Sequence, residues 1–142
     1  MPNSPETRTI LFTSCKGGVG KSTLCVGLGN ILSECGKKTL LVDMDIGVRS
    51  LDLLLNVAEK TVYNWGDVLL NNCEPSKALI GISKNLTLLP APVSINGDFS
   101  KDEMKKLIEL YKGKLEIAEY FKTLKSGAFY IKDKPSIRNF CL

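Results

Sequence analysis

The chain has no histidine among its 142 residues. That absence removes the Ser-His and Cys-His pairs that activate many enzyme nucleophiles, and it takes away a common zinc ligand. The five cysteines, Cys15, Cys25, Cys35, Cys73 and Cys141, are odd in number and show no Cys-x-x-Cys spacing. Zinc and iron–sulfur sites therefore have little to build on, and reduced, mostly buried thiols are expected. No apolar run reaches the roughly 18 residues of a membrane span. The opening Met-Pro-Asn-Ser-Pro-Glu has neither the basic patch nor the apolar stretch of a secretory signal, so the expected location is cytoplasmic. Charge of one sign does not dominate either. Nineteen basic residues stand against 15 acidic ones, a spread-out net charge of +4. This reads as a solvated surface more than as a polyanion-binding face.

What is present suits one modest globular domain: 44% apolar and 24% charged residues. Residues 1–8 read as a leader. Thr9-Ile10-Leu11-Phe12-Thr13 is a short run of β-formers, predicted to be a buried strand. A glycine-dense turn follows, and then Leu24, Leu28, Ile31, Leu32 and Cys35 recur at helical spacing. Gly36 stands where a helix end favours positive φ. Thr39-Leu40-Leu41-Val42-Asp43 is a second strand. Strand, glycine turn, helix and strand make a βαβ unit, with parallel strands and a right-handed crossover. The glycine turn and Asp43/Asp45 then share the carboxyl edge of the sheet, where ligands of open α/β sheets bind.

Further along, Leu51–Leu55 and Val62–Leu70 read as short helices, and Asn85–Pro90 as a third strand stopped by prolines. Ser100-Lys101-Asp102-Glu103 is a capping box opening a helix with Met104, Leu107, Ile108 and Tyr111 on its apolar face. A further helix over 114–125 is expected from Leu115, Ala118, Phe121 and Leu124, and 126–142 shows no clear pattern. Trp65 reads as core rather than as a stacking platform. Gly27-Leu28-Gly29 lacks the third glycine of a dinucleotide fingerprint, and close packing on the sheet is the expected reason for its glycines.

The chemistry lies in Lys16-Gly17-Gly18-Val19-Gly20-Lys21-Ser22-Thr23. A loop wrapping a triphosphate must turn several backbone N–H groups inward, and glycine permits that turn and that close approach. The helix beginning near Lys21 adds unpaired N–H groups and the positive end of its dipole. Lys21 is placed to reach the β- and γ-phosphates, Ser22 to offer a hydroxyl to Mg²⁺, and Thr23 to bond the α-phosphate. Gly20-Lys21-Ser22 fits the end of the ordinary P-loop pattern, while Cys15 occupies its first glycine position. The alternative is a structural turn without ligand. Asp43 and Asp45 alternate on their strand, so both carboxylates can face the loop. One of them could position an attacking water, or the pair could simply end the strand.

Lys16 through Thr23 resembles the deviant Walker A motif of the MinD/ParA ATPases, several of which also lack glycine at the Cys15 position. Asp43-Met44-Asp45-Ile46-Gly47-Val48-Arg49-Ser50-Leu51-Asp52-Leu53-Leu54-Leu55 is similar to the MinD branch, whose usual text has asparagine at Ser50. The Pro-Gln-Gly stretch of ParA proteins is absent. Ala78-Leu79-Ile80, Asn85 to Ala91 and the helix containing Met104 share the resemblance, which runs from about Thr9 to Gly113.

The resemblance implies an α/β fold: a P-loop NTPase-type parallel sheet flanked by helices. It implies an ATPase acting in bacterial division-site placement, with ATP and Mg²⁺ as cofactors. Two subunits would sandwich two ATP molecules as a homodimer, Lys16 reaching across to the partner's phosphates while Lys21 holds its own. Gly17, Gly18, Val19, Gly20, Lys21, Ser22 and Thr23 would bind nucleotide, Ser22 the metal, and Asp45 the water. A division inhibitor and an activator protein are the implied partners, with no nucleic acid. Membrane contact on the inner face would come through a C-terminal helix that this chain does not show.

After Gly113 the pattern changes. A buried strand ending in aspartate and then Pro-Ala-Gly is due, but Lys114-Leu115-Glu116-Ile117-Ala118-Glu119-Tyr120 is polar and helical in period. Glu116 and Glu119 also argue against a membrane-surface helix here. The expectation is a fold incomplete at its C-terminus, its central strand missing, with 9–113 the ATP-binding part and 114–142 a non-matching tail left by a frameshift or truncation. Weak nucleotide binding and poor hydrolysis would follow. Two other readings stay open: a nucleotide-binding interaction module without turnover, and a ParA or flagellar-number type of the same superfamily.

Overall fold

Thr39–Val42 is buried at every position, as a near-continuous apolar run requires when a strand is covered on both faces. The computed structural model describes residues 9–13, 18–94, 99–113 and 128–132. Their strands are β1 (Thr9–Thr13), β2 (Thr39–Val42), β3 (Ile80–Ser83), β4 (Leu86–Leu89) and β5 (Ala128–Lys132). The helices are α1 (Lys21–Glu34), α2 (Ser50–Leu54), α3 (Trp65–Leu69) and α4 (Lys101–Gly113), with 3₁₀ turns at Ala58–Lys60 and Pro75–Ala78. The described strands form one sheet in the order β1-β5-β2-β4-β3. β1, β5, β2 and β4 run parallel, and β3 pairs antiparallel with β4.

The expected gap in the middle of the sheet is filled. Ala128–Lys132 lies between β1 and β2, with Ile10 opposite Phe129 on one side and Leu41 opposite Phe129 on the other. This corrects the reading that the central strand is missing, and, within the 126–142 stretch read as patternless, it shows a strand at 128–132. Ala128-Phe129-Tyr130-Ile131 is a short apolar run, and a strand that short becomes visible only when neighbours pair with it on both edges. The predicted helix over 114–125 lies outside the described residues. β3 is a second strand absent from the sequence reading: Gly81 weakens its pattern, and a bulge interrupts its register between Gly81 and Ser83.

Each face of the sheet carries its own core. On one, Cys25 of α1 and Leu51 of α2 pack with Leu41, Leu86 and Leu88. On the other, Trp65 and Val68 of α3 and Met104, Leu107 and Tyr111 of α4 pack with Leu40, Val42 and Leu89. Trp65 is fully buried, as expected of a core residue. The described thiols depart in part from expectation: Cys25 is buried, Cys73 half-buried and Cys35 exposed. Among the described residues no helix is long and apolar enough to cross a membrane.

The helix ends follow local chemistry. α1 stops in a Schellman arrangement, with Gly36 at φ 76°. Lys37 N–H donates to Leu32 O, and Gly36 N–H donates to Ser33 O. Ahead of α4, Glu103 N–H donates to Ser100 Oγ and Ser100 N–H donates to Glu103 Oε2, the predicted capping box. Asn64 and Asp67 build a second capping box before α3. It sets that helix's start at Trp65, later than Val62 as read from sequence.

Two substitution sets test this architecture. A Cβ on Gly29 would lie 2.9 Å from Leu41 Cδ2, whereas one on Gly27 meets nothing within 4 Å. Gly27→Ala is expected to raise stability by up to about 1 kcal/mol. Gly29→Ala should lose that gain to overpacking against a fully buried Leu41 and come out destabilising by about 1 kcal/mol; thermal melts read both. Phe129→Pro removes a ladder donor from the strand between β1 and β2 and should cost about 3 kcal/mol or more. An unchanged melt would contradict the placement of β5.

Candidate functional site

Gly18 and Gly20 have φ of 73° and 90°, in the left-handed region where a side chain is strained. They turn the chain so that α1 opens immediately at Lys21. Gly20 is the cap residue, and no side chain caps the helix. The first helical bond is Leu24 N–H to Gly20 O at 2.9 Å. The N–H groups of the first turn therefore point out of the helix at the carboxyl edge of the sheet, with no acidic side chain in that turn. Gly18, Val19, Gly20 and Thr23 are exposed, and Lys21 and Ser22 half-buried. Lys16 and Gly17 lie outside the described residues.

β2 delivers Asp43 to the same edge. This residue is 1% exposed. Its Oδ1 accepts from Asp45 N–H at 2.9 Å and its Oδ2 from Leu51 N–H at 3.0 Å. Its carbonyl accepts from the Trp65 indole at 2.7 Å, and its own N–H donates to Leu89 O at 3.0 Å. Alternation along a strand allowed both carboxylates to face the loop. Instead Asp43 folds back onto the segment that leads into α2, and Asp45 stands half-buried beyond it. Burial pushes the Asp43 carboxyl up to about 7, against the pull of its two backbone donors, with the charges of Asp45 and Asp52 adding to the rise.

The segment that Asp43 holds ends next to α1. Ser50, the first residue of α2, places its Oγ 2.9 Å from Ser22 Oγ. Arg49, at φ 49° and ψ 50°, pairs with the buried Asp52 through Nε at 2.7 Å and through its terminal nitrogen. The other oxygen of Asp52, Oδ1, is buried with no partner among the described residues. Sequence reasoning did not assign Ser50 to the site, although its departure from asparagine marked the position. It also passed over Asp133, which follows β5 directly and precedes Lys134-Pro135. That is the aspartate-then-proline order sought near Gly113. Asp133 lies outside the described residues.

Among the described residues no group of three or more His, Cys, Asp or Glu side chains gathers as a metal cage. Among the described residues, the hydroxyls of Ser22 and Ser50 meet beside the loop. That set suits a hard cation that keeps most of its waters and is held mainly through phosphate, as Mg²⁺ is.

A parallel sheet with a glycine loop and an uncapped helix start at its carboxyl edge defines the P-loop class of nucleotide-binding domain. The chain matches the CobQ/CobB/MinD/ParA nucleotide binding domain over residues 10–128, and it belongs to that family. It is 43% identical over 112 residues to the septum site-determining protein MinD of Synechocystis, covering 77% of this chain and 42% of that protein. Its fold superposes on a chain of the MinC:MinD cell division protein complex of Aquifex aeolicus with a TM-score of 0.70 at 31% identity, covering 89% of this chain and 48% of that one. It is similar also to the MinD of Pyrococcus horikoshii complexed with Mg-ADP, with a TM-score of 0.68 at 25% identity, over 94% of this chain and 52% of that one. The chain thus spans about two-fifths of the curated relative and about half of each solved one. The family match runs past Gly113, where the resemblance read from sequence stops.

The raised Asp43 carboxyl sets a pH dependence. The unfolded chain releases this proton near the ordinary aspartate value of 3.8, the folded chain near 7. Between those values the folded state binds the extra proton, so this group's contribution to stability falls as pH rises through the window. Asp43→Asn is expected to be less stable at pH 4 and to lack this group's slope across the window. The native chain should lose its advantage by on the order of 3 kcal/mol toward pH 7, as read by denaturant unfolding at several pH values.

Proposed function

We propose that this chain is a MinD-type nucleotide-binding domain that takes ATP with Mg²⁺ and serves division-site placement. The observation that carries the reading is the loop in which Gly18 and Gly20 adopt positive φ and deliver an uncapped α1 beginning Lys21-Ser22-Thr23. Gly17 through Thr23 cradle the phosphates, Lys21 neutralises the β- and γ-phosphates, and Ser22 ligates Mg²⁺. Asp45, beyond the pinned Asp43, orients the attacking water. Lys16 acts in trans, across an ATP-dependent homodimer, and stabilises charge that develops in the transition state.

β5 changes how residues 114–142 enter this reading. A strand in the middle of the sheet belongs to the ATPase domain, which argues against a foreign tail after Gly113. Asp133, the residue that follows β5 in the sequence, is the acidic group we assign to holding the Mg²⁺ through a water. The Aquifex relative was solved with MinC, which supports a division inhibitor as partner. A cytoplasmic address, an activator of hydrolysis and membrane contact on the inner face complete the proposal. One observation favours a second reading, binding without turnover: where Pro-Ala-Gly is due, the chain reads Pro135-Ser136-Ile137, without the glycine.

Binding of a fluorescent ATP analogue and release of phosphate test both readings on the same sample. The native chain is expected to bind. Lys21→Ala should weaken binding at least about tenfold, the loss of one charge-assisted contact to phosphate. Equal binding by native and Lys21→Ala chains would remove the P-loop reading. Binding without phosphate release would select the module over the enzyme.

A further inference from the structure

We propose that Ser50 is a positioning residue that orients the Ser22 hydroxyl toward the Mg²⁺ accompanying the nucleotide. The inference rests on the nucleotide-binding reading and deepens it. A serine hydroxyl has one proton to donate and two lone pairs. To ligate a cation it must turn a lone pair to the metal and its proton away. Ser50 Oγ lies 2.9 Å from Ser22 Oγ, where either hydroxyl can donate; once Ser22 turns a lone pair to a cation, Ser50 is the group in reach to accept its proton.

The fold goes to some length to hold Ser50 there. The Leu51 N–H just after it is tied to Asp43 Oδ2, and the Asp45 N–H ahead of it to Asp43 Oδ1. Arg49, immediately before it, sits in the left-handed region without being glycine and is anchored to buried Asp52. Strain at a non-glycine residue beside two buried carboxylates is tolerated where the surroundings over-determine a geometry. Here the geometry they determine is the start of α2, and Ser50 is the side chain of that start which meets the phosphate loop. Groups that orient a metal ligand typically govern metal affinity about tenfold or more.

The test is titration of ADP into the chain, once in EDTA and once across a Mg²⁺ series, for the native protein, Ser50→Ala and Ser50→Thr, with thermal melts alongside. Ser50→Ala is expected to leave ADP affinity in EDTA and the melt within about twofold and a few degrees of native. The Mg²⁺ concentration at half-saturation of the ADP complex should rise about tenfold. Ser50→Thr, which keeps a hydroxyl, should restore it. Equal losses in EDTA and in Mg²⁺, or no change in the Mg²⁺ requirement, would overturn the inference alone. A native chain that binds no ADP in either condition would overturn the nucleotide reading and this inference with it.

Discussion

β1 and β2 do not pair with each other; each pairs with β5. That one strand sets the distance between the glycine loop after β1 and the acidic segment after β2. Parallel strands hydrogen-bond on both sides and bury both faces, so a gap in the middle leaves two rows of unsatisfied backbone groups. With β5 in place, all four parallel strands point the same way. Gly18, Lys21, Ser22, Asp43 and Ser50 then arrive at one edge from two different crossovers. The site follows from the sheet order.

Asp43 is the second constraint. A carboxylate removed from water is costly unless hydrogen bonds compensate. Here two backbone N–H groups do so in part, and the elevated proton affinity shows that the compensation is incomplete. The return is a short loop, residues 45–49, locked to β2 at one end and to the start of α2 at the other. Trp65 locks the carbonyl of the same residue from the opposite core. One residue thus ties α2, on one face of the sheet, to α3, on the other, at the point where the strand ends.

Much of this was legible in the residues. The phosphate loop, the βαβ unit, the Gly36 stop and the Ser100–Glu103 box are local patterns, set by backbone chemistry within a few residues of each other. The failures are non-local. β5 is four apolar residues followed by Lys132, and only pairing with Ile10 and Leu41 makes it a central strand. β3 carries a glycine and a bulge. Which of Asp43 and Asp45 folds back onto the chain cannot be read from alternation, because a strand's period stops at its last residue. Ser50 drew notice only as a departure from asparagine, and its contact with Ser22 spans 28 positions of sequence.

Amide hydrogen exchange at Phe129 and Tyr130 tests the central claim most directly. A strand bonded on both edges in the middle of the sheet opens only with the fold, so these amides should be protected to the same degree as Leu41, the partner of Phe129 in β2. Exchange at free-chain rates for Phe129 and Tyr130, with Leu41 still protected, would contradict the account: β1 and β2 would then be held without β5, and the site edge would rest on something else.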